Sequence, residues 1–327
     1  HGFYVYGTWP VIATHFLAQW GLSQVGWQEC LQMGRILSAL CDLLTVFLVY
    51  LIGKKIFDRR VGVIGAAFSA AAVLQIQQSH FFTVDAFATT FSTLALYFAV
   101  VLASLPLQVN ANDAQLSRKG LLTSLWFGLS VALAMSCKIN TAPVALLLPA
   151  AWAIRFLRSP HVDLNLHLRE MIRDLVVGGI VALIAVRILL PYAFEGPSFF
   201  NVMPSDRWMA NIKDLAAQTS GDVDFPPALQ WARRPVTFSF QNMVLWGLGL
   251  PLGLLSWGGF LWLGWRIFRG KEHNAVLMWA WTAVYFIWQS LQGNPTMRYQ
   301  MPIYPTLAVM GGWVLMTLSD LGEKARL

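Results

Sequence analysis

The chain has 327 residues, of which 57% are hydrophobic and 12% charged. Soluble domains carry about 25% charged residues, so this composition excludes an ordinary water-soluble enzyme and predicts an all-α, polytopic helical membrane protein. The formal net charge is +7, but the basic residues fall in short runs between apolar segments, as membrane topology requires, and show no nucleic-acid signature. The three cysteines suggest no disulfide framework.

Residues 1–33, beginning "HGFYVYGTWPVIATHFLAQWG", are aromatic, moderately apolar and interrupted by Pro10. The segment is too polar for a confident span and reads as an outer interfacial loop with helices, its Tyr4, Tyr6, Trp9, Trp20 and Trp27 suited to the headgroup level. A helix needs about 20 mostly apolar residues to cross a bilayer. On that basis about nine spans follow, near 34–53, 61–80, 84–104, 120–137, 141–157, 173–194, 238–265, 275–292 and 299–319. The fourth and fifth are separated only by "KIN" at 138–140 and form a tight hairpin. The seventh is too long for one straight crossing, and Pro251 is expected to kink it. The whole chain, 1–327, reads as one transmembrane domain.

Between the sixth and seventh spans, 195–237 reads as a long outer loop. It contains a short amphipathic helix with Trp208, Ile212 and Leu215 on one face and Asp206 as its cap. Asp222 and Asp224 in "SGDVDFPP" read as turn chemistry, with a calcium or substrate role as the alternative.

The loops alternate in charge. "GKKIFDRR", Arg118–Lys119, Arg155 to Arg173, Arg266 to Lys271 and the C-terminal Lys324 and Arg326 hold most of the 23 basic residues. The positive-inside rule makes that side cytoplasmic. Asp85 and the N-terminus then lie on the outer, non-cytoplasmic side. Nine spans with an outside N-terminus lead us to expect one further span upstream of His1.

Charges at membrane depth are costly and mark either function or pairing. Asp42 lies two helical turns after Arg35, which offers it a structural partner. Arg187 either snorkels to the outer headgroups or contacts a phosphate with its fork of donors. Arg298 is either a flanking charge or an anion ligand. The densest stretch is "QIQQSHFFTVDAF". There His80 reads as an interfacial histidine or a ligand, and Asp85 as a helix cap, in competition with Thr83, or as a site residue. No HxxxH or paired-cysteine spacing supports a divalent metal, so the cofactor stays unknown, and no Gly-rich phosphate loop occurs.

These residues carry a resemblance. "GRILSALCDLLTVFLVYLIGKKIFDRRVGVIGAAFSAAAVLQIQQSHFFTVDAFATTF" resembles the early spans of GT-C membrane glycosyltransferases, in particular the protein O-mannosyltransferase and aminoarabinose-transferase-like enzymes. The family's opening Arg, basic cytoplasmic turn and helix-starting acid fall on Arg35, "KKIFDRR" and Asp85. "MRYQMPIYPTLAVMGG" resembles the late RY-x-x-P element, here Arg298, Tyr299 and Pro302. The resemblance implies inverting transfer of a sugar from a polyprenyl-phosphate donor in the membrane lipid to a hydroxyl acceptor, on the outer face. The acceptor, whether protein, lipid or glycan, stays open. By the same resemblance Asp85 is a catalytic-site carboxylate that orients donor or acceptor. His80, Arg187, Arg298 and Tyr299 bind substrate, and the arginines face the lipid-phosphate leaving group. It places the main general base in a first outer loop, upstream of His1, because residues 1–28 hold no acid and Glu29 is a poor match. The expected location is a prokaryotic plasma membrane. The alternatives are a transporter or flippase of a lipid-linked substrate, which would show internal repeats that are not evident here, or a non-catalytic membrane subunit.

Overall fold

The computed structural model describes residues 6–22, 25–106, 114–158, 164–220, 230–231 and 234–326. The fold is built from helices, with only two isolated β-bridges among the described residues. In chain order they are α1 (Thr8–Leu22), α2 (Trp27–Ile56), α3 (Arg59–Ala71), α4 (Val73–Ser79), α5 (Val84–Ala103), α6 (Ala114–Cys137), α7 (Leu147–Arg158), α8 (Leu164–Leu189), α9 (Asp206–Ser220), α10 (Phe238–Asn242), α11 (Leu250–Phe268), α12 (Val276–Ser290) and α13 (Tyr304–Arg326). Short 3-10 segments, Ile139–Leu146 and Met297–Ile303, lead into α7 and α13.

The chain is an integral membrane protein. Among the described residues, five helical stretches are long and apolar enough to cross a bilayer: Trp27–Ile56, Val84–Ala103, Arg118–Cys137, Ile139–Arg158 and Met297–Lys324. A sixth is reached if α3 and α4, bent by 61° at their junction, count as one broken span. The expected count of nine is not confirmed, and the reasons are physical. The C-terminal part of α8 carries Arg173, Asp174 and Arg187 within its apolar run. Helix α12 has 15 residues, which at about 1.5 Å per residue falls short of a ~30 Å hydrocarbon core.

The run expected at 238–265 is broken differently from the expectation. A π-helical turn at Met243–Gly247 is followed by Gly249 at φ +84°, a conformation open mainly to glycine. Pro251 sits in the first turn of α11, where its missing N–H costs nothing, so it starts a helix instead of kinking one.

Helices α5 and α13 form the centre. Every residue from Gln300 to Val314 is buried, including Tyr304, Leu307 and Met310. The packing depends on small residues, as expected where lipid offers no hydrophobic drive for helices to associate. A Cβ on Gly53 of α2 would lie 2.8 Å from the Cα of Gly62 in α3. Gly128 of α6 meets Gly178 of α8, and Gly120 meets Asp174, so α6 and α8 run parallel. Between α2 and α5, Thr45 and Thr90 share a 2.8 Å hydrogen bond, while Gly34 meets Phe82, so this pair is also parallel.

One end of the bundle therefore holds the starts of α2 and α5 and the ends of α6 and α8. The other end carries "KKIFDRR". There Asp58 caps α3 by accepting from the Val61 N–H at 2.9 Å, and Arg60 forks onto Asp320 of α13 at 2.9 and 3.0 Å. Two local expectations are corrected. Asp42 forms no ion pair with Arg35, which faces outward; its carboxylate accepts from Gln75 Nε2 at 3.2 Å. Helix α9 is capped by Ser205, whose Oγ accepts from the Trp208 N–H at 3.2 Å, leaving Asp206 as the first helical residue. Asp222 and Asp224 lie outside the described residues.

Candidate active site

Asp85 is the second residue of α5, after Thr83 at the N-cap position and Val84. Its side chain does not cap the helix. It is 4% exposed and is shared by two cations from distant parts of the chain. Lys138 Nζ donates to Oδ1 at 2.7 Å, and Arg298 Nε lies 3.2 Å from Oδ2. Both carboxylate oxygens are therefore engaged, the arrangement a buried charge requires.

Each partner is positioned by its backbone. Lys138 ends α6, its N–H bonded to Ala134 O at 3.0 Å. Its own carbonyl accepts from both the N–H and the hydroxyl of Thr141, at 3.0 and 2.8 Å. The side chain has no slack: its ammonium sits 3.8 Å above the Tyr299 ring and 5.9 Å from the Tyr6 ring. Such cation–π contacts favour a desolvated ammonium. Arg298 and Tyr299 belong to the 3-10 turn Met297–Ile303, started by the Thr296 hydroxyl, which accepts from the Arg298 N–H at 3.4 Å. Tyr6 is held by an antiparallel bridge to Lys138 and by the Gly7 N–H bonding Cys137 O at 2.9 Å. Trp9 secures the same turn through Leu133 O and the Cys137 sulfur, both at 3.2 Å. Burial raises the Tyr6 phenol well above the usual tyrosine range, so it remains a neutral hydrogen-bonding group.

Among the described residues the cluster contains one carboxylate and two cations. Lys138 is enclosed, whereas Arg298 is 48% exposed, with only its Nε edge on Asp85. The excess positive charge of the cluster therefore sits on the half-exposed Arg298 guanidinium. Such an arrangement has the chemistry to receive an anion, with a carboxylate beside it that can orient a hydroxyl.

The structure brings Asp85, Arg298 and Tyr299 together but not His80 or Arg187. His80 is exposed at the end of α4, where its Nδ1 lies 2.7 Å from Ile76 O and finishes that helix. Arg187, 6% exposed, donates from Nη2 to Ser198 O at 2.7 Å and from Nε to Asn201 O at 3.2 Å, and lies over Phe194. It organises the segment that follows α8. Lys138 and Tyr6 were missed in the sequence. Lys138 had a detectable signal, as the lone charge in a three-residue link between two spans. Tyr6 had none beyond its aromatic character. Among the described residues no group of three or more His, Cys, Asp or Glu could hold a metal ion.

An α-helical membrane bundle with a buried, net-positive ion cluster at one end matches the GT-C class of fold. The chain superposes on the crystal structure of the Archaeoglobus fulgidus oligosaccharyltransferase in the apo form with a TM-score of 0.67 at 16% identity, covering 99% of this chain and 44% of that one. It superposes on ArnT from Cupriavidus metallidurans in the apo state with a TM-score of 0.58 at 18% identity, covering 95% and 50%. Solved relatives include ArnT bound to undecaprenyl phosphate (TM-score 0.57, 18% identity, covering 93% and 49%). The chain thus spans about half the length of these structures. No curated protein matches it. The profile of the dolichyl-phosphate-mannose-protein mannosyltransferase family matches residues 16–190, and the chain belongs to that family. The matched region contains Asp85 and Lys138.

Proposed function

We propose that this chain acts as a glycosyltransferase that moves a sugar from a polyprenyl-phosphate donor to a hydroxyl acceptor. The observation that carries the reading is the charge balance of the site, in which buried Asp85 is shared by Lys138 and Arg298 and one positive charge is left over. A lipid phosphate supplies the missing negative charge, and more of it as the bond to the anomeric carbon breaks. In this scheme the acceptor oxygen attacks the anomeric carbon with inversion, the phosphate leaves with the bonding electron pair, and the hydroxyl proton passes, directly or through water, to the departing phosphate. Arg298 receives the phosphate. Asp85, held by Lys138, orients the reacting hydroxyl, and Tyr299 covers the ammonium. His80 and Arg187 have no place in this set. Family membership and the fold shared with ArnT, one structure of which holds undecaprenyl phosphate, support the reading.

We place this site on the outer face of a prokaryotic plasma membrane. The positive-inside distribution supports the sidedness, since "KKIFDRR" lies at the end opposite Asp85. In the same frame 1–327 is one transmembrane domain, with 1–33 and 195–237 on the outer face.

The test is Asp85→Asn in the full-length protein, assayed with a polyprenyl-phosphate sugar. Loss of an orienting carboxylate should cut turnover about 100-fold per folded molecule. Unchanged specific activity in the folded fraction would reduce Asp85 to a structural ion-pair partner and remove the proposal's foundation.

A further inference from the structure

The segment after α8 presents an unusual surface. Phe199 is 49% exposed, Phe200 88%, Val202 48% and Met203 63%, all within five residues. Exposed apolar groups this close together are costly in water and mark an interaction site. The segment is also rigidly built. Buried Arg187 binds the carbonyls of Ser198 and Asn201, the Glu195 N–H bonds Met203 O at 2.8 Å, and the Asn201 side chain accepts from the Met203 N–H at 3.0 Å. An antiparallel bridge joins Phe194 and Pro204, and the Ser205 N–H bonds Ala193 O at 2.9 Å. The apolar tip is therefore held outward by a closed set of hydrogen bonds.

What covers it follows from the helix that leads there. On α8, Ile172, Val176, Ile180, Ile184 and Ile188 are all exposed, in steps of four, and form one apolar stripe on the face opposite the α6 contact. In an integral membrane protein that stripe faces acyl chains. Tyr192, 54% exposed, continues it one turn further, and the Phe199–Met203 tip follows. Because α6 and α8 run parallel with Gly128 against Gly178, the end of α8 reaches the level of Lys138. The tip thus stands at the same membrane boundary as the ion cluster. Behind it a cleft of about 360 Å³ is lined by Arg187, Tyr192, Arg207 and Trp208, residue types suited to phosphate and glycerol at the interface.

We infer that residues 198–203 are a membrane-inserted finger. Phe199, Phe200, Val202 and Met203 enter the acyl region of the leaflet on the Asp85 side, and Arg207 meets phospholipid headgroups. The finger fixes the height of the outer segment, including α9, relative to the bilayer in which a lipid-linked donor would lie. This goes beyond the catalytic proposal and does not depend on it.

The test uses Phe200→Cys and, separately, Met203→Cys in full-length protein carrying Cys30→Ser and Cys41→Ala, with a nitroxide attached and the protein in phospholipid liposomes. Lys213→Cys on α9 is the solvent-facing comparison. Collision with oxygen and with a water-soluble nickel chelate is read by electron paramagnetic resonance. Lipid insertion predicts an oxygen-to-nickel ratio several-fold higher at 200 and 203 than at 213. Equal ratios would show a water-exposed tip, and low accessibility to both reagents would show cover by protein. Either result overturns the inference, and neither bears on Asp85. The second labelled position guards against misfolding of one variant.

Discussion

Asp85 and Lys138 are 53 positions apart in sequence and 2.7 Å apart in space. Each is tolerable at depth only because of the other. Removing one partner of a buried pair usually costs about 3–5 kcal/mol, because the other charge is left uncompensated. Lys138→Met should therefore destabilise the protein by about 3 kcal/mol, at the low end because Arg298 still reaches Oδ2. Adding Asp85→Asn should restore most of the loss. Thermal unfolding of both variants in detergent checks this, and a double mutant no more stable than the single would show that the charge is not the cause. Sequence reasoning found Asp85 and Arg298 because isolated charges near apolar runs stand out. It leaves Lys138 as part of the "KIN" link between two spans, because a lysine at a turn between spans is ordinary in a topology count. It offers Arg187 either the outer headgroups or a phosphate, where the fold gives it the carbonyls of Ser198 and Asn201. Backbone carbonyls leave no mark in the sequence.

At the scale of elements, glycines decide how closely helices approach. A Cβ on Gly128 would collide with the Gly178 carbonyl, whereas a Cβ on Gly179 meets nothing within 4 Å. Gly128→Ala should push α6 and α8 apart and cost about 1–3 kcal/mol. Gly179→Ala, in the same helix as Gly178, should stabilise by about 0.5–1 kcal/mol through reduced chain entropy. Melting temperatures moving in opposite directions would confirm the packing; two losses would argue against it. Apolar run length located most of the helices, because burial from water is roughly additive along the chain. It misjudged where they break. The bend between α3 and α4 and the turn at Gly249 come from local backbone geometry, which hydrophobicity does not encode.

At the scale of the molecule, the basic residues gather at the end away from Asp85. Lys54 and Lys213 are both exposed and belong to opposite ends. In intact cells a membrane-impermeant maleimide should modify Lys213→Cys and spare Lys54→Cys until the membrane is opened. The reverse pattern would invert the topology and move the site to the cytoplasmic face. The expected orientation rests on charge counts in short loops, which the sequence supplies directly. The number of crossings is less so, since α8 carries charges that the fold pairs or buries, as Arg173 with Asp174 at 2.7 Å.

What the sequence determined alone was the class: a helical membrane protein with its charges sorted by side and a few costly ones left at depth. Composition and run length suffice for this because the bilayer acts on each segment independently. Which of those charges meet was decided only by the tertiary structure. Asp85, Lys138, Arg298, Tyr299 and Tyr6 come from four separate segments, and their assembly depends on α5 packing against α6 and against the 3-10 turn Met297–Ile303, with Tyr6 bridged to Lys138. A contact set by three-dimensional packing between distant segments has no local pattern to read. The same packing sends His80 to a helix end and Arg187 to the base of an apolar finger.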